Sequence, residues 1–264
     1  MARCAKARFL DSSAYLETLF HRTGFKPAQR KSGVSAEQAK LNAARAALRE
    51  LEGCAVVGVG TGSTVEKLIG LLPQLEGYRE KLYVPSSIDT ALKLARMGLR
   101  VLDPSFALRI EVYVDGADEV DPKLNMIKGG GAAMTMEKIL TYHAERRIFI
   151  VDHTKLVGKL GERHPVPLEV LPQALGLVLR KLAEKGFRAE PRYPARGKMG
   201  PVVADTGGVI VDVYTGPIED PEALDRELRM PGVVETGLFI GMADKVYVGW
   251  PDRVESLSPA QVAL

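Results

Sequence analysis

The sequence has few cysteines and lacks any long apolar run. Cys4 and Cys54 are the two cysteines in 264 residues, too few for a disulfide framework or a thiolate metal cluster. No stretch approaches the roughly 18 consecutive apolar residues that a transmembrane helix needs. These shortages argue against a disulfide-stapled secreted domain and a helical membrane protein, and they favour a reducing, cytoplasmic compartment.

An excess of one charge is also missing from most of the chain. Residues 1–31 carry seven basic and two acidic side chains, whereas the remaining residues carry 29 basic and 31 acidic ones. A slightly acidic body gives no support to nucleic-acid binding. Because residues 1–31 lack the apolar core of a signal peptide, we expect a flexible basic arm there.

Short apolar segments alternate with helical segments between residues 32 and 161. The spacing Ser35-Ala-Glu-Gln38 is that of a capping box and predicts the start of the first helix. Strand, polar turn and helix in repeated alternation predict a Rossmann-like open parallel sheet with helices on both faces. The predicted strands are 55–59, 81–84, 109–114 and 147–151, and the predicted helices are 35–51, 63–73, 89–97 and 132–146.

The pattern changes at about residue 162. The order of elements over 162–240 is β-α-β-β-α-β, which predicts a smaller ferredoxin-like α+β domain. Within it, 201–205 and 209–214 are predicted to form a hairpin, and 233–240 a single strand. A strand at 245–250 is expected to return to the first sheet. The predicted catalytic α/β domain therefore comprises 32–161 and 241–264.

Polar loops follow four of the predicted parallel strands, at Gly60–Thr64, Ser86-Ser87, Asp115–Glu119 and Asp152–Lys155. Because the carboxyl ends of parallel strands meet at one edge of a sheet, we expect these loops to line one crevice. Gly60–Thr64 opens a helix, and backbone N–H groups at a helix start bind anions such as phosphate. A plain capped turn is the alternative for this loop.

Cofactor motifs are incomplete at the same loop. The glycine spacing departs from the dinucleotide fingerprint, and no lysine follows Gly62 as a nucleotide-binding P-loop requires. A small phosphate ester therefore fits better than NAD or ATP. The four histidines show no metal-ligand spacing, so we expect neither a cofactor nor a metal.

Carboxylates, a lysine and glycines follow in two further loops. Asp115–Glu119 suits recognition of sugar hydroxyls, with a metal site or a surface turn as alternatives. Lys128 precedes three glycines, and this sequence favours an anion nest for a developing oxyanion, with a linker as the alternative. Glu137 follows in the next helix, where Met136 and Ile139 predict a partly apolar setting that raises a carboxyl pKa towards that of a useful base.

Several segments together resemble type A ribose-5-phosphate isomerase. The resemblance covers about residues 33–255, and three of its strings stand in order at family-like spacing. The matching segments are Val57–Thr64, Tyr113–Glu119, Met126–Ala133 followed by Glu137–Ile139, Pro231–Val234 and Gly237–Phe239. Residues 1–31, Met136 and an apparent insertion at 195–200 depart from the family pattern.

The resemblance implies reversible conversion of D-ribose 5-phosphate to D-ribulose 5-phosphate, in the non-oxidative branch of the pentose phosphate pathway. It implies a proton acceptor at Glu137, no metal, and a homodimer or homotetramer. From the charge and the lack of a long apolar run, we expect binding to neither nucleic acid nor membrane. Glu137, Asp115 and Lys128 are the expected catalytic residues. The expected substrate-binding residues are Thr61, Gly62, Ser63, Thr64, Asp115, Gly116, Ala117, Asp118, Lys128, Gly129, Gly130, Gly131, Lys155 and Lys40.

The hypothesis is a proton transfer from C2 to C1 through a cis-enediolate, with a carboxylate such as Asp115 assisting ring opening. Three alternatives share the predicted fold or the phosphate loop. They are an amino-sugar-phosphate deaminase, a CoA transferase, and a sugar-phosphate-sensing effector domain that does not use Glu137 as a base.

Overall fold

The computed structural model describes residues 33–262, so the basic arm predicted at 1–31 lies outside the described residues. The helices are α1 (Gly33–Leu48), α2 (Ser63–Leu71), α3 (Ile88–Arg96), α4 (Met134–His143), α5 (Leu175–Glu184), α6 (Pro221–Leu228) and α7 (Pro259–Val262). The strands are β1 (Val56–Val59), β2 (Leu82–Pro85), β3 (Arg100–Val101), β4 (Val112–Asp115), β5 (Glu119–Val120), β6 (Met126–Ile127), β7 (Arg147–Asp152), β8 (Val166–Val170), β9 (Arg188–Pro191), β10 (Val209–Tyr214), β11 (Val233–Thr236), β12 (Leu238–Phe239), β13 (Lys245–Gly249) and β14 (Val254–Leu257).

Seven strands form the main sheet in the order β14-β13-β7-β4-β1-β2-β3. Every neighbouring pair is parallel except β13 and β14. The Rossmann-like parallel sheet predicted from the alternating pattern is therefore confirmed, as is the return of β13 to this sheet. The carboxyl ends of β1, β2, β4 and β7 lie at one edge.

The main sheet is covered on both faces, which explains why its central strands are apolar without alternation. Val57 of β1 and Val114 of β4 pack in one cluster with Leu68 of α2. Tyr113, the residue before Val114, faces the other side and packs with Leu140 of α4. Burial on both faces fixes the strand ends that carry the polar loops.

A four-stranded antiparallel sheet has the order β11-β8-β10-β9. Leu182 of α5 and Leu228 of α6 pack in the same apolar cluster as Leu168 of β8. This arrangement confirms the predicted ferredoxin-like fold class. The bounds 162–240 for a separate domain stay a prediction.

The hairpin predicted between 201–205 and 209–214 is present only as a short antiparallel contact. Val203 and Val209 form a bridge, flanked by hydrogen bonds from Ala204 N to the Gly208 carbonyl and from Ile210 N to the Val202 carbonyl. The ladders of β10 are made with β8 and β9. Pro201 has no N–H to donate, and the N–H of Gly208 donates to the Glu169 carboxylate rather than along a ladder.

Three short strands form a sheet that the sequence did not predict, in the order β12-β6-β5. The strand predicted over 233–240 is split at Gly237, so that β11 joins the antiparallel sheet and β12 pairs with β6. The N–H of Gly237 donates to Pro167 and its carbonyl accepts from Lys128. This close crossing holds the loop that begins at Lys128.

Two helix ends differ from the predicted ones. The capping box at Ser35 is wrong as a helix start, because α1 begins two residues earlier, at Gly33. The helix predicted to stop near Pro73 ends at Leu71 and continues as a 3₁₀ turn through Gln74. None of the helices between residues 33 and 262 is both long and apolar enough to cross a membrane.

Candidate active site

A cavity of about 120 Å³ lies at the carboxyl edge of the main sheet. It opens where the loops after β1 and β4 meet the glycine loop after β6 and the start of α4. The loop after β7 completes it. Its lining residues are Thr61, Gly62, Ser63, Thr64, Val65, Gly116, Ala117, Asp118, Lys128, Gly129, Gly130, Gly131, Glu137 and Lys155.

The first wall is the loop from β1 into α2. Gly62 occupies the position before the helix with φ of 132°, and no side chain caps the first turn. The N–H groups of that turn therefore remain available to an anion at the positive end of the helix dipole. Gly60 must lack a side chain, because a Cβ there would lie 2.0 Å from Asp115 Oδ1.

The Thr61 hydroxyl contacts the loop after β2 and the first turn of α3. Its Oγ1 lies 2.7 Å from Ser87 Oγ, 2.9 Å from Ser86 Oγ and 3.2 Å from Thr90 Oγ1. These hydroxyls tie the loop after β1 to the loop after β2. Thr61 thus positions backbone N–H groups, whereas Ser63 and Thr64 supply the hydroxyls at the helix start.

Asp115 ends β4 and is fully buried. Its carboxylate accepts from the Tyr113 hydroxyl at 2.5 Å, from Gly116 N at 2.7 Å and from Thr61 N at 3.1 Å. Lys128 Nζ lies 2.9 Å from its Oδ2. The structure thus places Asp115 behind the cavity wall, where it holds other groups of the site.

Lys128 is buried, and only 3% of its surface is exposed to solvent. Its Nζ lies 2.6 Å from the Gly116 carbonyl oxygen and 3.0 Å from Glu137 Oε2. Burial opposes the charged form, but the carboxylates of Asp115 and Glu137 outweigh it and raise the pKa of Lys128. The side chain is therefore a fixed cation between two carboxylates.

Glu137 is the fourth residue of α4 and is 3% exposed. Burial raises its pKa above the usual glutamate value, and the negative charge of Asp115 raises it further. Lys128 acts in the opposite direction and lowers the pKa of Glu137. The carboxylate is thus a desolvated base held beside a cation at the cavity wall.

The neighbours predicted to bury Glu137 are not the ones that do so. Met136 and Ile139 line a different surface cavity, and Ile139 is 44% exposed. Residues next to or two positions from Glu137 point to other sides of an α-helix. The apolar setting predicted from Met136 and Ile139 was therefore wrong in its physical cause.

Asp118 and Lys155 lie on the cavity wall, and Lys40 does not. Asp118 Oδ2 accepts the Gly130 N–H at 2.7 Å. Lys155 belongs to a 3₁₀ turn directly after β7. Lys40 lies on α1, where its Nζ is 2.9 Å from Glu37 Oε1.

Sequence reasoning missed the Tyr113 hydroxyl and the Thr90 hydroxyl. Tyr113 stands two residues before Asp115 in a strand, so the period of two could have placed both side chains on one face. Nothing in the sequence pattern pairs Thr90 with Thr61, since α3 brings it there from a separate turn. Within 33–262, no group of three or more His, Cys, Asp or Glu side chains is arranged to hold a metal ion.

Comparison with known proteins identifies the family. The model of the family Ribose 5-phosphate isomerase A (phosphoriboisomerase A) matches residues 82–253. Ribose-5-phosphate isomerase A of Aeropyrum pernix is 50% identical over 196 residues, which cover 74% of this chain and 82% of that protein. The chain belongs to the ribose-5-phosphate isomerase A family. It is therefore an isomerase, and the family expected from the sequence is confirmed.

This chain matches other family members over nearly their whole length. Ribose-5-phosphate isomerase A of Thermococcus kodakarensis is 43% identical over 228 residues, covering 85% of this chain and 99% of that protein. The solved ribose 5-phosphate isomerase A of Methanocaldococcus jannaschii superposes with a TM-score of 0.79 at 37% identity, covering 85% of this chain and all of that chain. The isomerase fold thus spans both the parallel and the antiparallel sheets described above.

Proposed function

We propose that Glu137 is the general base of a ribose-5-phosphate isomerase that works through a cis-enediolate. One observation carries this proposal. A buried carboxylate with a raised pKa stands 3.0 Å from a buried ammonium and faces a cavity that also contains an uncapped helix start. Base, oxyanion partner and phosphate cradle therefore share one small space.

The phosphate of the substrate binds at the start of α2. Backbone N–H groups of the first turn, the Ser63 and Thr64 hydroxyls and the Lys155 ammonium surround that end of the cavity. A related D-ribose-5-phosphate isomerase, 40% identical with a TM-score of 0.79, has been solved in complex with phospho-erythronic acid. That ligand carries a phosphate, the group proposed to bind at the start of α2.

Ring opening needs a carboxylate that can reach the sugar. Both Asp115 oxygens already accept hydrogen bonds from buried donors, whereas Asp118 lines the cavity. Asp118 therefore assists opening to the free aldehyde, and Asp115 keeps Lys128 in place.

Proton transfer follows in the opened sugar. Glu137 removes the C2 proton, and the electron pair moves into a C1–C2 double bond as the aldehyde oxygen becomes an oxyanion. Lys128 and the N–H groups of the glycine loop stabilise that oxygen. Glu137 then returns the proton to C1, while the proton of the C2 hydroxyl passes to the C1 oxyanion, so that C2 becomes the ketone and C1 carries the hydroxyl.

The wider setting follows from this activity. A ribose-5-phosphate isomerase acts in the non-oxidative branch of the pentose phosphate pathway, which places the protein in the cytoplasm. It works as a homodimer or homotetramer.

The deciding experiment replaces Glu137 by Gln and measures turnover of ribose 5-phosphate in EDTA. We expect the wild type to form the ketose and the variant to lose about 10²–10⁴-fold in kcat, the size of a positioned acid–base contribution. Inhibition by inorganic phosphate is expected to stay unchanged.

Glu145→Gln is the matched control, because Glu145 follows the same helix and its side chain is 51% exposed. It is expected to keep wild-type turnover. Normal kcat in Glu137→Gln would remove Glu137 as the base.

A further inference from the structure

The glycine loop after Lys128 is held from behind by an arginine of the antiparallel sheet. Arg192 directly follows β9, and its Nη1 lies 2.7 Å from the Gly129 carbonyl oxygen and 3.1 Å from that of Gly130. The main chain of Arg192 is also fixed, because its N–H donates to Ile210 of β10 at 2.8 Å. A residue distant in sequence therefore sets the position of two cavity-lining peptides.

The guanidinium is itself anchored. Its Nε lies 2.9 Å from Asp212 Oδ2 and its Nη2 lies 2.5 Å from Asp212 Oδ1. The two side chains are 18% and 12% exposed, so the pair is largely removed from water. The guanidinium of arginine is planar and has three nitrogens that donate hydrogen bonds. Two of them bind the Asp212 carboxylate, and the third nitrogen binds both glycine carbonyls.

These contacts fix which way the loop amides point. A trans peptide directs its C=O and its N–H to opposite sides. Since Arg192 binds the Gly129 carbonyl, the Gly130 N–H points away from the guanidinium, and it donates to Asp118 on the cavity wall. The same geometry at the Gly130 carbonyl turns the Gly131 N–H away from Arg192.

Arg192 shares the support of the loop with two backbone contacts, because the Gly129 carbonyl also accepts the Ala132 N–H at 3.1 Å and the Lys128 N–H donates to Gly237 at 2.9 Å. Gly129 has φ of 112°. Glycine adopts positive and negative φ about equally well, so the residue itself does not fix this conformation. A flexible run of three glycines would lose the advantage of fixed dipoles at the reacting oxygen, because that advantage depends on preorganisation. A cation behind the carbonyls also polarises the peptides and strengthens their N–H groups as donors.

We propose that Arg192, anchored by Asp212, is a positioning residue for the two peptides that join Gly129, Gly130 and Gly131. It presents the Gly131 N–H to the oxyanion of the reaction intermediate, while the Gly130 N–H holds Asp118. This inference rests on the proposed function, and it adds a task for the antiparallel sheet. Arg192 does not touch the substrate.

The test compares Arg192→Met/Asp212→Asn with the wild type, because the double variant leaves no unpaired buried charge. We expect kcat for ribose 5-phosphate to fall about 10–100-fold, below the 10²–10³-fold loss of a direct oxyanion donor. Competitive inhibition by inorganic phosphate should stay within about twofold, since the α2 start is untouched. Phospho-erythronic acid should inhibit more weakly, in step with the loss of kcat.

Asp212→Asn alone keeps the arginine and its two carbonyl contacts, so a smaller kcat loss with the same phosphate inhibition is expected. Arg188→Met is the matched control on β9, because its side chain is 73% exposed and pairs only with surface groups such as Glu190. That control should retain wild-type kcat.

A wild-type kcat in the double variant overturns the inference, and so does a loss in which phosphate inhibition weakens as much as kcat. If the double variant does not fold, the single Asp212→Asn variant decides on the same two readouts. Failure of the proposed function gives results that differ from failure of the Arg192 inference. In that case the wild type would not convert ribose 5-phosphate, or Glu137→Gln would remain active.

Discussion

At the scale of single residues, the site depends on three buried charges whose energies are linked. Lys128 stands between Asp115 and Glu137, at 2.9 and 3.0 Å. Removing Lys128 would leave two buried carboxylates without compensation, whereas removing Asp115 leaves Lys128 paired with Glu137. The Tyr113 hydroxyl and backbone N–H groups complete the hydrogen bonds of Asp115, so Asp115 stabilises the cation while Glu137 retains basicity.

The pH dependence of the reaction tests this linkage. Only ionised Glu137 can accept the proton, and burial and Asp115 raise its pKa. We therefore expect kcat/KM to fall on the acid side at a pH above the ordinary glutamate pKa of about 4.3. Asp115→Asn removes one negative charge beside Glu137, so the acid limb should move to lower pH.

The substrate phosphate titrates equally in both proteins, so the comparison of wild type and Asp115→Asn isolates the enzyme group. An acid limb that moves to higher pH in Asp115→Asn would contradict the assignment of Glu137. The kcat/KM profile of each protein, measured between pH 4 and 9 or over its stable range, is the required measurement.

At the scale of elements, loops and helix starts bring polar groups to the edge of a rigid sheet. The loop after β1 can approach β4 closely only because Gly60 has no side chain. The hydroxyl cluster around Thr61 then fixes the direction of the α2 start. In the proposed function, phosphate binding therefore depends on the way β1, α2 and β4 are packed.

Two glycine-to-alanine substitutions distinguish the effect of close packing at Gly60 from the general effect of replacing a glycine on the free energy of unfolding. Gly60→Ala forces a Cβ against Asp115, so we expect a loss of about 1–3 kcal/mol in the free energy of unfolding and a lower kcat. Gly70→Ala lies inside α2, where a Cβ meets nothing within 4 Å. There we expect a gain of about 0.5–1 kcal/mol.

Urea unfolding and steady-state turnover of both variants provide the measurements. Equal stability in the two glycine variants would show that the loop relaxes without cost and that the close approach of Gly60 to Asp115 is not required.

At the scale of the whole molecule, the outer face of α4 carries exposed apolar side chains. Ile139 is 44% exposed and Tyr142 is 73% exposed, and the loop before β4 adds Phe106 at 73% and Leu108 fully exposed. Arg147 and Asp225 line the adjoining cavity beside Ile139 and Tyr142, so a second copy of the chain meets charges of both signs. This face is the expected contact in the proposed homodimer or homotetramer.

Light scattering after size exclusion tests that assignment. Ile139→Glu/Tyr142→Glu should shift the protein to a smaller species, because two charges would be buried at the contact. Leu177→Glu is the control, since Leu177 is 65% exposed on α5. Dissociation by Leu177→Glu, with the α4 variant still associated, would place the contact elsewhere.

The sequence by itself determined the fold class, most strand positions and the family. Apolar runs of strand length followed by polar turns are typical of parallel strands buried on both faces, and β1, β2, β4 and β7 stand within three residues of the predicted bounds. The order of loops at the sheet edge also follows from topology, which is why the lining of the cavity contains nearly all the predicted binding residues.

Only the tertiary structure decided which neighbour each polar group has. Local pattern could not split the predicted strand at Gly237, because the two halves pair with strands more than sixty residues away. It assigned the burial of Glu137 to Met136 and Ile139, although Lys128 and Asp115 surround the carboxylate. It could not bring Arg192 to Gly129, since hydrogen bonds between distant segments depend on the packing of whole sheets rather than on spacing along the chain.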